Sequence, residues 1–461
     1  DGLVTYTVGT DPTEVARPFY APWTGSVADA LRAADYLIIT NPKRLATFYP
    51  DQEADITRLY ATMARLAAHK QGVLGFLGAH NLELLDTLLE TTWGSQLHPD
   101  FMSDNAHGYA LLVGESEIIP AWTEDTFTIE WSDGDKTTTV DYSDLPYASL
   151  RGKDKRPEIV LGRIVGNSPA ALITPLETSI AVATGTPGYS FDRSHAMAVS
   201  GRGTSVEEDF IPGINMVEWL LDAQGVDVTK IHWKYDNEPS YTYVFTDATP
   251  GKDIVHFFGH GNVGTWGPGL GTGLANVWPL DFAGSNPLVI GTTCLSGGYE
   301  PDADSMPERF AESGAGAFIG ATQVSANACN RSAGNWFYMN WGLDEAPGRV
   351  LTALKQVKVS DDAYWRLWAY EYNFYGDPKY GIYAPTLASQ AVTALEVVAP
   401  AATAMAAATL EVDIPAPLVS TSEGWDSVEI PGGGWMMAPD QYRVPTWLVT
   451  VDYPAGVRPQ A

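Results

Sequence analysis

Asp253-Ile254-Val255-His256-Phe257-Phe258-Gly259-His260-Gly261 and Pro287-Leu288-Val289-Ile290-Gly291-Thr292-Thr293-Cys294 are two short apolar runs, each ending in a reactive side chain. Uninterrupted apolar runs of this length are expected of strands covered on both faces, as in a parallel sheet. His260 and Cys294 lie 34 positions apart (294 − 260), room for one crossover between neighbouring parallel strands. Function in open α/β sheets gathers beyond the carboxyl ends of strands. The spacing therefore brings an imidazole and a thiol side by side. A thiol of pKa about 8.5 is mostly protonated at neutral pH, and an adjacent imidazole raises its thiolate fraction. Gly261 lacks a side chain, so a substrate backbone can come close, and its N–H with that of Cys294 can face an oxyanion. The turn Leu295-Ser296-Gly297-Gly298 fits such a site. His260 would then protonate the leaving amine. Taken singly, each residue has an ordinary structural reading: a histidine beside glycine, and a cysteine behaving as a small buried hydrophobe.

Upstream, Tyr36-Leu37-Ile38-Ile39-Thr40, Val73 to Leu77 and Tyr109-Ala110-Leu111-Leu112-Val113-Gly114 read as further buried strands. Between them, Asp51 to Lys70 sets Ile56, Leu59, Met63, Leu66 and Ala67 at helical spacing, and Leu82 to Leu89 forms a second helix. From Thr126 to Asp144 the pattern alternates every two residues around Ser132-Asp133-Gly134-Asp135, a hairpin signal. Ile159-Val160-Leu161-Gly162-Arg163-Ile164 adds a strand. Further on, Ala196 to Ser200 and Ala317-Phe318-Ile319-Gly320 read as strands, and Asn215 to Ala223 and Ser305 to Ser313 as helices. Two α/β blocks in succession predict side-by-side subdomains, 1–178 and 179–384, or one long continuous sheet. Residues 385–461 are rich in Val, Thr, Pro and Ala and predict a small all-β domain of sandwich type, although the alanines of 400–408 suit a strand poorly.

The chain has 461 residues, 45% apolar and 18% charged, a globular composition long enough for two or three domains. No stretch approaches the roughly 20 apolar residues of a membrane helix. Against 27 basic residues stand 56 acidic ones, a net charge of −29, which repels phosphate backbones and argues against nucleic acid as a partner. The same acidity leaves carboxylates free for a structural calcium ion in an irregular loop site, since no EF-hand spacing occurs. No metal ligand is assigned, and thiol chemistry requires no cofactor. Only Cys294 and Cys329 are present, so at most one disulfide forms and each thiol has to be weighed as a nucleophile. Asp1 is not followed by the basic and apolar regions of a signal peptide; the expectation is that a signal or pro-segment has been removed ahead of it.

Phe258-Gly259-His260-Gly261-Asn262, then Gly291-Thr292-Thr293-Cys294, then Glu308-Arg309-Phe310 through Gly314-Ala315-Gly316-Ala317-Phe318-Ile319-Gly320 resemble the catalytic core of gingipain-type cysteine peptidases, family C25 of the caspase-like clan. Ala34 to Thr40, Leu111 to Gly114 and Ser143-Asp144-Leu145-Pro146-Tyr147 through Pro157 to Arg163 resemble its first subdomain, and Tyr375-Gly376-Asp377-Pro378 its closing segment. The resemblance spans about residues 30–385. It implies a caspase-like, open, mostly parallel sheet in two side-by-side subdomains, followed by an immunoglobulin-like domain. It also implies a catalytic dyad of His260 and Cys294, an oxyanion hole from the N–H groups of Gly261 and Cys294, and a peptide or protein substrate. Such enzymes often cut after basic residues held by an acid at the base of the first specificity pocket. The loop Glu207-Glu208-Asp209 falls in that region, with Asp209 the first candidate and Glu208 beside it.

Two departures from the family pattern stand out. Val199-Ser200-Gly201-Arg202 carries no acid where some relatives place the carboxylate that orients the histidine, a role Glu207 or Glu208 could take. Beyond the Gly320 strand, where relatives present a tryptophan, this chain has Asn327-Ala328-Cys329, and its nearest tryptophan is Trp336. Asn327 and Trp336 are thus the candidates for the substrate-pocket wall, while His256 reads as a core residue. The leading expectation is an extracellular or cell-surface cysteine endopeptidase. A transpeptidase passing the acyl group to an amine, and an inactive binding or structural protein on a peptidase scaffold, are the rivals. Oligomeric state is open at this level.

Overall fold

The computed structural model describes residues 31–382, except 103–107, 124–125, 132–133, 140–141, 152–154, 202–209, 233–243, 245–246, 268–279, 300–303 and 343, together with 428–429 and 434–437. In chain order the first strands are β1 (Tyr36–Thr40), β2 (Gly72–Leu77), β3 (Gly108–Val113), β4 (Thr126–Trp131), β5 (Gly134–Thr139) and β6 (Ile159–Ile164). Then come β7 (His195–Ser200), β8 (Asp227–His232), β9 (Ile254–Phe258), β10 (His260–Asn262) and β11 (Thr265–Gly267). β12 (Leu288–Thr292), β13 (Ala317–Ala321) and β14 (Tyr372–Gly376) follow.

Ten of these strands form one continuous, mostly parallel sheet in the order β2-β1-β3-β6-β14-β13-β12-β9-β7-β8. The two blocks read from the sequence are the two halves of this sheet. β14 lies between them, running antiparallel to β13 and meeting β6 at Tyr375 and Arg163. The apolar runs fall where a doubly covered sheet requires them: β1, β2, β3, β9, β12, β13 and β14 are buried at every position. The expected hairpin is β4–β5, with Trp131 opposite Gly134 across its turn. Two strands from the C-terminal segment extend the sheet beyond β2: β16 (Gly434–Met437) pairs antiparallel with β2, and β15 (Val428–Glu429) pairs antiparallel with β16. The immunoglobulin-like domain expected at 385–461 otherwise lies outside the described residues.

The helices cover both faces. Glu53–His69 turns Ile56, Leu59, Met63, Leu66 and Ala67 inward, the stripe its spacing predicts. The predicted helix from Leu82 is a short α-turn, Leu82–Asp86, that widens into a π-helical stretch, Thr87–Leu97. Pro169–Thr184 is a helix across the expected division near Ser179. It starts on the Ser168 side chain, which accepts the N–H of Ala171, with Pro169 in its first turn, and stops at Gly185 in the left-handed region (φ 64°).

One buried polar cluster braces the first half of the sheet and a second ties the halves together. Arg163, fully buried, donates to Asp144 through Nε and Nη2 at 2.7–3.1 Å and through Nη1 to the carbonyls of Gly114 and Ile119 at 2.9 Å. Asp377, just past β14, accepts from Tyr36 at the start of β1 (2.6 Å) and from Ser179 (2.5 Å). The Tyr380 hydroxyl then donates to Asn286 O, ahead of β12. Both halves of the sheet are therefore anchored to the segment that leaves β14.

Candidate active site

β9 and β12 are hydrogen-bonded parallel neighbours, with Phe258 opposite Thr292. His260 and Cys294 each stand two residues beyond that pair. Adjacent strands are about 4.8 Å apart, so the shared register sets the two residues side by side at the carboxyl edge of the sheet. His260 opens the small β10–β11 hairpin, with Gly261 opposite Trp266. The Trp266 ring is fully buried and stacks on Phe257 at 4.6 Å, which fixes the hairpin to the sheet. The half-buried His260 ring meets Phe210 edge to face at 5.2 Å.

Gly261 directly touches the segment that leads from β12 to Cys294. A Cβ at this position would stand 2.6 Å from the carbonyl oxygen of Cys294 and closer still to Thr293 Oγ1. Only glycine fits this approach. Beyond Cys294 the chain turns sharply, with Leu295 held in the left-handed region at φ 57°. The N–H groups of Leu295, Gly297 and Gly298 are taken up by the carbonyls of Gln323, Ala321 and Leu295 at 2.8–3.0 Å. The turn is thus braced against the end of β13, and these three donors are spent.

The thiol has its own support. Cys294 is half-buried and free, as is the buried Cys329, so the disulfide that two cysteines allow is not formed. Cys294 Sγ accepts the N–H of Ser325 at 3.4 Å and lies 3.7 Å from the Ser325 carbonyl. Burial pushes this thiol up, the Ser325 N–H draws it down, and Glu371 pushes it up again. Beneath it, Asn330 Oδ1 accepts from Ser325 Oγ (2.6 Å), Tyr372 OH (2.7 Å) and Trp368 Nε1 (3.1 Å). Tyr372 OH also reaches Thr293 O at 3.4 Å, and Tyr375 OH donates to Gly297 O.

Of the residues picked out from sequence, His260, Gly261 and Cys294 come together. Asn327 begins the helix Asn327–Asn340, two residues past Ser325, with its Oδ1 buried and without a hydrogen bond. Trp336 is on the same helix, nine residues or about 13 Å further along, partly buried and packed against the core. Asp209, Glu208 and Glu207 lie outside the described residues. His256 is a core residue. It is buried between Tyr338 OH (3.0 Å) and Thr292 Oγ1 (3.1 Å), and burial lowers it to about 3. Among the described residues no group of three or more His, Cys, Asp or Glu is placed to hold a metal ion. Sequence reasoning missed Ser325, Asn330 and Glu371, which reach the site only through long-range packing.

A thiol and an imidazole thus lie beyond the carboxyl ends of adjacent central strands of a caspase-like α/β sheet. The chain belongs to peptidase family C25, whose family model matches residues 29–383. It is a cysteine-type peptidase. The pro- and mature-domain complex of RgpB from Porphyromonas gingivalis has a similar fold, with a TM-score of 0.56 at 18% identity over 76% of this chain and 80% of that one. The Arg-specific cysteine proteinase gingipain R (RgpB) gives 0.55 at 16% identity over 77% and 79%. At such identities the likeness is one of fold, the caspase-like α/β sheet expected from the sequence. No curated protein sequence matches the chain.

Proposed function

We propose that this peptidase is an extracellular endopeptidase that cleaves through a thioacyl-enzyme, with Cys294 as nucleophile and His260 as proton carrier. The observation that carries the reading is the shared register of the two residues past Phe258 and Thr292. The Cys294 thiol passes its proton to His260 and Sγ attacks the carbonyl carbon. The N–H groups of Gly261 and Cys294 receive the oxyanion, since those of Leu295, Gly297 and Gly298 are spent. Protonated His260 then delivers its proton to the leaving amine. A water deprotonated by His260 attacks the thioester, releasing the acid and restoring the thiol.

A basic residue before the cut is proposed with it, held by Asp209 with Glu208 beside it. The net charge of −29 would steer such substrates toward the enzyme. A structural calcium ion is proposed as a stabiliser outside the chemistry.

The test is cleavage of a positional peptide library, with calcium present, by wild type, Cys294→Ala, His260→Ala and Cys329→Ala. Both dyad variants should lose about 10⁴-fold or more in kcat, and Cys329→Ala should cleave. Asp209→Asn should weaken the preference for basic residues before the cut. Cleavage that survives Cys294→Ala would overturn the assignment.

A further inference from the structure

Glu371 is the last residue of the helix Ala363–Glu371 and immediately precedes β14. Tyr372 pairs with Ala321 at the end of β13, so the antiparallel entry of β14 delivers Glu371 to the same edge of the sheet as Cys294. Its backbone carbonyl accepts the N–H of Thr322 at 2.8 Å. Its side chain is fully buried, and neither carboxyl oxygen has a hydrogen-bond partner.

The surrounding donors explain why. An indole nitrogen can only donate, so Trp368 Nε1 fixes the oxygen of the Asn330 amide toward the network. Ser325 and Tyr372 spend their hydroxyl protons on that same oxygen. Asn330 thus gathers these protons, and an ionised Glu371 would have to draw the Ser325 hydroxyl away from it. An unpartnered buried carboxylate is costly, whereas the neutral acid is tolerated. Burial accordingly raises Glu371 to about 8, eased only by Ser325.

Other titratable groups nearby do not offset that charge. Cys329, on the helix Asn327–Asn340, is pushed up to about 12 by burial first and then by Asp362 and Glu371, with Lys358 opposing. Lys355, on the helix Pro347–Lys358, donates to Tyr372 O, and burial lowers it to about 7. Tyr372 is itself raised by burial and then by Glu371. At neutral pH Glu371, Cys329 and Tyr372 are largely uncharged beneath the nucleophile, while Lys355 is about half protonated.

We propose that Glu371 is a positioning residue for Cys294: with its proton on, it keeps the floor under the Ser325 loop neutral, and with its proton off it opposes the thiolate. The proposal rests on Cys294 as nucleophile and makes Glu371 the upper pH limit of its activation. No atom is transferred from Glu371 to substrate; it acts only through the thiol.

The experiment measures the iodoacetamide alkylation rate of Cys294 against pH in wild type and Glu371→Gln, with labelled peptides separated from those of Cys329 by mass spectrometry. Glutamine mimics the neutral acid and cannot ionise. The ratio of the rate near pH 9 to the rate near pH 6.5 should rise by about threefold or more in Glu371→Gln, the effect of a half-unit shift in the thiol. A looser site alone would change both rates and leave the ratio as in wild type, and that result would overturn the proposal. If Glu371→Gln does not fold, the wild-type profile decides. Two interacting acids spread the rise over more than about two pH units, whereas the curve of one isolated group would refute the coupling. Alkylation needs no substrate, so failure of this inference is distinguishable from failure of the peptidase dyad, which the library assay reads.

Discussion

Gly261→Ala adds one methyl group at the junction of His260 and Cys294. Its Cβ would stand 2.6 Å from the Cys294 carbonyl oxygen, where ordinary contact begins at 3.4 Å, so something must give by about 0.8 Å (3.4 − 2.6). Thr293 can rotate its hydroxyl away. The carbonyl cannot move so easily, because the following turn is held by Leu295 N–H at Gln323 O and by Gly297 N–H at Ala321 O. Misplacing reacting groups by about 1 Å costs on the order of 10²-fold in rate, close to 2.7 kcal/mol of transition-state stabilisation. Overpacking costs about 1–3 kcal/mol of stability, less than a domain of this size commands, so the variant should still fold. The assay compares kcat/KM on a peptide chosen from the library, alongside thermal melts. The expected outcome is a fall of about 100-fold with a melting temperature a few degrees lower. A folded Gly261→Ala that keeps kcat/KM within about threefold of wild type would refute the close-approach argument and the oxyanion role built on it.

Asp144→Ala should cost about 3–5 kcal/mol in urea unfolding, because it strands the buried Arg163 guanidinium. Replacing both partners with apolar residues, Asp144→Leu with Arg163→Met, should recover most of that loss. Glu115 is buried beside Glu308, and burial first, then Glu308 and Glu117, raise its carboxyl far above the usual range. The folded state therefore holds that proton more tightly than the unfolded chain. Its contribution to stability is full below the ordinary carboxylate pKa and drains away as pH rises toward the elevated value. Glu115→Gln should flatten the decline in stability between the ordinary carboxylate value of 4.5 and about 9, measured by denaturant melts at stepped pH. An unchanged slope would discount the pair.

Much of the sheet is legible locally. β1, β3, β9 and β12 are apolar because both faces are covered, and Glu53–His69 has one inward stripe, so pattern alone finds them. The elements missed have local reasons. β8 is an edge strand with a mixed pattern, Asp-Val-Thr-Lys-Ile-His, and only one buried residue. Pro169–Thr184 is apolar nearly all round and contains Pro175, which reads as a breaker. Asn327–Asn340 starts without a side-chain cap and holds four asparagines and a glycine. His260 and Cys294 were legible because each ends a strand. Ser325, Asn330 and Glu371 were not, since a serine in a loop, an asparagine in a helix and a glutamate at a helix end have no distinctive spacing. Their roles come from contacts such as Ser325 to Cys294, 31 positions away.

The order in which the chain supplies the site has a structural consequence. His260 and Cys294 are neighbours once β9 pairs with β12, but the nucleophile turn is not held until later segments arrive. Ser325 comes past β13, and Tyr372 and Tyr375 come with β14, which enters between the two halves of the sheet. The same strand leads to Asp377, whose bonds to Tyr36 and Ser179 tie it to the first half of the chain. Loop-closure entropy makes such distant contacts late and cooperative. Closing the sheet therefore also braces the turn after Cys294, and through Asp377 the first half acts on the candidate site by fixing β14.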